Sequence, residues 1–143
     1  MHILTLLQDE LRQEFETTKK FIELFPNEGH AYMPHPKSMK MDHLATHIVE
    51  IFSWANVMLK TSFLDLSTAG DGNLLTTRDQ LLKRLVENYE ASESALHDAE
   101  EAELSQNWAL KHGEHVLAQW SKYGAIRHAL SQISHHRAQL GVY

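Results

Sequence analysis

Eleven of the 143 residues are histidine and none is cysteine. Imidazole is the commonest side-chain metal ligand and the side chain that titrates near neutral pH. The lack of thiols excludes disulfides, thiolate zinc centres and cysteine nucleophiles. Chemistry in this chain therefore turns on which histidines can converge. Two i, i+4 pairs have the required spacing: His43–His47 in "DHLATHIVE" and Gln132–His136 in "SQISHHRAQLGVY". Residues four apart project from one helix face, so both members of either pair can reach a shared ion. A catalytic metal usually takes three protein ligands and keeps one position open for water or substrate.

The elements that must position these residues are helical. Leu4, Leu7, Leu11, Phe15, Thr18, Ile22 and Phe25 recur at three- and four-residue steps, predicting a first helix over about residues 2–25 that Pro26 ends. Residues 26–39, with three prolines and Gly29, read as a loop. A second helix is expected from about Lys40 to Ser62, and "AGDGN" marks a second loop within 66–73. Thr77 with Gln80 fits a capping box opening a third helix striped by Leu81, Leu82, Leu85, Tyr89, Leu96 and Ala99. "QNWALKHGEHVLAQW" is irregular and has room for short extended pieces. A fourth helix is expected from about Ser121 to the chain end, where its apolar pattern is still running, as though the pattern continued past Tyr143. Four long amphipathic segments predict an all-α fold: one domain over 1–143, an up-and-down four-helix bundle with a long crossover connection.

Helical wheels at 100° per residue sort the histidines. On the fourth helix His136 falls within the apolar arc of Ile126, Ala129, Leu130, Ile133 and Leu140. Gln132 lies on the edge of that arc, and His135 points away. On the second helix His47 flanks the core face beside Trp54 and Met58, with His43 one step further out. If the two helices are neighbours, His47 and His136 converge. The plainer reading is a pair of boundary histidines, each satisfied by one hydrogen bond. His2, His30, His35, His97, His112 and His115 read as loop and surface residues, Trp54, Trp108 and Trp120 as packing anchors, and "HDAEEAE" as a solvated helix end.

The formal net charge of -6 and the absence of a Lys/Arg cluster argue against nucleic-acid binding, whose affinity comes mainly from cations on phosphates. No apolar run approaches a membrane span, and the N-terminus has no secretory-signal pattern. These features predict a soluble, cytoplasmic protein.

"PHPKSMKMDHLATHIVEIFSW" (34–54) and "HHRAQLGVY" (135–143), with "YGAIRHAL" between them, resemble the signature regions of the DinB-like family. That resemblance implies a helical bundle with a divalent-metal site, zinc or nickel, held by one histidine of the second helix and an H-x-x-x-H pair of the fourth. Carried over by position, the ligands are His47, Gln132 and His136. The middle residue departs from the pattern: a glutamine amide is a poorer donor to zinc or nickel than imidazole, so the site should be weakened. His43 or His128 could substitute.

Two functions follow. One is a metal-dependent enzyme of the thiol-dependent transferase or hydrolase type. The other is a non-catalytic ligand-binding or scaffold protein with a degenerate site. A homodimer and an unidentified small-molecule substrate are the expected partners. DNA binding is suggested only by the family's name, and the charge balance opposes it.

Overall fold

The structure is a computed structural model that describes residues 2–69 and 72–143; Gly70 and Asp71 of the expected second loop lie outside the described residues. Helix α1 spans Ile3–Glu23 and buries Leu4, Leu7, Leu11, Thr18 and Ile22, the stripe its spacing predicts. Its N-terminus is closed from a distance. The Leu4 amide donates to the Glu101 carboxylate at 2.9 Å, an anion at the positive end of the helix dipole. Glu101 opens a 3-10 turn (Glu101–Ser105), so this acidic stretch caps another helix rather than only facing solvent.

The loop after α1 is pinned to the next helix. Met41 and Asp42 donate their amides to the carbonyls of Tyr32 and His30, and Gly29 supplies the positive φ (74°) of the turn. His30 Nδ1 sits 2.9 Å from the buried Asp42 carboxylate, whose other oxygen accepts from the His43 amide at 2.7 Å.

The expected single helix of residues 40–62 is two helices, α2 (Met41–Ile51) and α3 (Trp54–Lys60). At the break the amides of Phe52 and Ser53 reach back only three residues, to Val49 and Glu50. From α4 (Arg78–Asp98) the Ser92 hydroxyl enters the gap. It donates to the Phe52 carbonyl at 2.5 Å and accepts from the Asn56 amide at 3.3 Å. One hydroxyl thus stands between the two backbone groups that an uninterrupted helix would bond to each other. Asn88, one turn earlier, donates to the Val49 carbonyl at 2.9 Å. Insertion of a side chain into the ladder is a recognised cause of kinks, and no glycine or proline in the segment announces it.

The expected capping box is present: the Thr77 side chain accepts from the Gln80 amide while the Gln80 side chain reaches back to the Thr77 amide. α1 packs against α4, and both α2 and α3 pack against α4 and the last helix, α5 (Lys122–Val142). α5 also meets α1, and the arginines Arg127 and Arg137 of α5 pair with Glu10 and Glu14 of α1. The core is a single cluster led by Leu7, Ile22, Ile48, Phe52, Leu85 and Ile126.

The fold is mostly helical, but it adds a three-stranded sheet that an all-α reading lacks. β1 (Phe63–Asp65) runs parallel to β2 (Asn107–His112), which is antiparallel to β3 (His115–Ser121). The hairpin turns through Gly113–Glu114; a positive φ of 61° at glycine in the first central position is the pattern of a II′ turn. Asp65 Oδ1 ties β1 to that turn, accepting from Gly113 N at 2.9 Å and from the amide and hydroxyl of Ser67. These bonds to the ionised form hold the Asp65 carboxyl below its ordinary range. At the other end, Lys122 Nζ is buried and donates to the Leu59 carbonyl at the C-terminus of α3 (3.0 Å), locking the start of α5 to it.

Replacing Ser92 with alanine leaves the Phe52 carbonyl and the Asn56 amide without their shared partner. The variant should lose about 1–3 kcal/mol of stability, read as a lower urea midpoint at unchanged denaturant slope.

Candidate functional site

His47 stands on α2 and His136 on α5, helices that pack directly on one another. Their rings meet edge-to-face with centroids 4.6 Å apart and planes at 76°. Both residues are half-buried. Trp54, the first residue after the helix break, packs edge-on to His47 at 5.9 Å. His135 is exposed, its ring 4.9 Å from that of His136.

His136 Nδ1 lies 2.7 Å from the Gln139 amide oxygen. With that oxygen as acceptor, Nδ1 carries the proton and Nε2 keeps its lone pair, the arrangement that orients a ligating imidazole. Burial makes His47 less basic than an ordinary histidine, and the facing His136 lowers it further. His47 therefore favours its neutral form, the form a metal requires.

The third position differs. Gln132 is half-buried on α5, one turn before His136. Among the described residues no group of three or more His, Cys, Asp or Glu side chains gathers to hold a metal. The two histidines that could replace the missing ring are placed elsewhere: His43 is exposed on α2, and His128 stacks on Trp120 at 5.0 Å. Glu50, one turn from His47, is paired with Arg84 at 3.0 Å and is not poised as a base.

Two hollows flank the pair. On one side a cavity of about 430 Å³ is bounded by His136, Gln139, Tyr143 and the 34–39 loop with Lys37. On the other, a groove of about 440 Å³ lies between α3, one face of the sheet and α5, and Trp54 and His128 are among its walls. Sequence reasoning assigned the three tryptophans to packing alone. That holds for Trp108, which is 2% exposed, but all three also line the groove. The signal that could have revealed it is the alternation Trp108–Leu110 and Ala118–Trp120 around a glycine turn, a period-two pattern in the stretch read as irregular.

His47 holds its proton less tightly when folded than when unfolded. Its contribution to stability is thus full above the ordinary histidine value of 6.5 and is lost as pH falls through it. The melting temperature should fall between pH 7.5 and 5, and His47→Gln should make that fall shallower.

No family model matches the sequence, and no curated protein matches it. Solved structures do. A DinB-like protein from Bacillus subtilis (YjoA) superposes with a TM-score of 0.74 at 17% identity, over 96% of this chain and 89% of that one. A DinB-like protein from Bacillus cereus superposes with a TM-score of 0.68 at 16% identity, over 90% of this chain and 82% of that one. Identity this low speaks for the fold rather than the chemistry, and the fold it assigns is the one the sequence motifs resemble: this chain has the fold of the DinB-like proteins.

Proposed function

We propose that this chain is a metal-dependent enzyme of the DinB-like superfamily, of the thiol-dependent transferase or hydrolase type, with a modified divalent-metal site. The observation that carries the reading is the ring contact of His47 and His136 across α2 and α5. The donor set fits an ion in part. Two imidazoles are suited to zinc or nickel, while the Gln132 amide oxygen is a weak third donor. A bound ion would supply Lewis acidity, polarising a substrate and lowering the pKa of a water or thiol. The protein's part is to hold and orient. Gln139 fixes the tautomer of His136, and Trp54 shields one side of His47 from water. In this reading α1, α2–α3, α4 and α5 are the four legs of an up-and-down bundle with a long crossover, and the protein works in the cytoplasm as a homodimer on a small molecule.

A second reading is a non-catalytic ligand-binding or scaffold protein. It is favoured by the lack, among the described residues, of any group of three His, Cys, Asp or Glu side chains placed to hold a metal.

Metal content by mass spectrometry, on protein purified without a nickel column, separates the two. The enzyme reading expects bound zinc or nickel in the parent, lost in both His47→Ala and His136→Ala. It also expects Gln132→His to bind zinc at least about tenfold more tightly, since an imidazole replaces an amide. A parent that stays metal-free after incubation with both ions leaves the second reading.

A further inference from the structure

The groove beside the histidine pair has a construction of its own. Trp108 on β2 stands in register with Trp120 on β3, their rings 6.3 Å apart and within 24° of parallel. His128, from α5, continues the tier over Trp120 at 5.0 Å and 25°. Each neighbouring pair of these three rings thus lies within 25° of parallel along one wall. Leu64 and Leu110, paired in register between β1 and β2, extend the same sheet face, and Trp54 on α3 stands opposite. The wall is set before any ligand arrives, because the Trp108 indole N–H donates to Thr61 Oγ1 at 3.0 Å.

Among the described residues no Asp, Glu, Lys or Arg lines the groove. A charged ligand would lose its hydration there without a counter-charge. The volume of about 440 Å³ lies in the range of small-molecule sites. Aromatic rings prefer offset-stacked or edge-to-face neighbours, and a wall of aromatic rings with Trp54 across the groove supplies such neighbours to a flat guest. We propose that this groove binds an uncharged, planar bicyclic aromatic group of a small molecule. The bound ring would end at Trp54, whose ring also packs edge-to-face with that of His47. The proposal rests on the groove and not on the metal, so a site without metal leaves it standing.

Calorimetric titration of the full chain with 2-naphthol at pH 7.5 tests it. One saturable site is expected, with a Kd on the order of 100 μM for a ligand of this size. Decahydro-2-naphthol, the same skeleton without planarity, and naphthalene-2-sulfonate, which adds a charge, should each bind at least about tenfold more weakly. Trp120→Leu should weaken 2-naphthol to a similar degree. So should Leu66→Glu, which sets a carboxylate at the exposed rim without touching the core and decides the matter should Trp120→Leu fail to fold. His136→Ala should leave the Kd within about twofold, separating the groove from the histidine pair. Absence of saturable heat, equal affinity for the saturated analogue, or full binding by folded Leu66→Glu would overturn the proposal.

Discussion

The Ser92 hydroxyl in the gap of the second helix is the contact on which the placement of both the histidine pair and the groove depends. A buried amide and a buried carbonyl must each find a partner, and only a group that both donates and accepts can serve the two at once. Ser92 does so for Asn56 and Phe52. The break it supports separates α2, which carries His47, from α3, which carries Trp54 and ends at the Leu59 carbonyl held by Lys122. Lys122 in turn begins α5, the helix of Gln132 and His136. One hydroxyl on α4 thus helps to set two helices on which it does not itself reside.

The electrostatics around His136 follow from helix geometry. Consecutive residues on a helix point about 100° apart, so His136 faces α2 while Arg137 faces α1. There Arg137 pairs with Glu14 and meets Thr18, which satisfies its charge away from the imidazoles. With Arg127 and Glu10 one further pair joins the same two helices. Burial against the packed helices is the main reason that His47 favours the neutral form, and the facing His136 adds to it.

The sheet converts what would have been a helix–helix connection into a wall. Its inner face places Trp108, Trp120, Leu64 and Leu110 beside α3 and α5, and Asp65 fixes the hairpin turn against β1. The tryptophans pack and line at once: an indole large enough to anchor the junction of sheet and helix also borders the groove.

Local rules made much of the architecture legible. The i, i+3, i+4 spacing of Leu4, Leu7 and Leu11, the Thr77–Gln80 box and the inward direction of His136 are all properties of a single helix, and residues 3–23, 78–98 and 122–142 took that form. The motifs around His47 and His136 resembled the fold that the solved neighbours display. What sequence could not decide was everything made by residues far apart in the chain. Ser92 breaks a helix about 40 positions earlier, and Glu101 caps one 97 positions earlier. β1 pairs with a strand more than forty residues on. His47 and His136 meet because α2 and α5 pack, not because of any spacing between them. Periodicity sets which face of an element is apolar; only the closed core decides which faces meet, because burial acts on the whole chain at once.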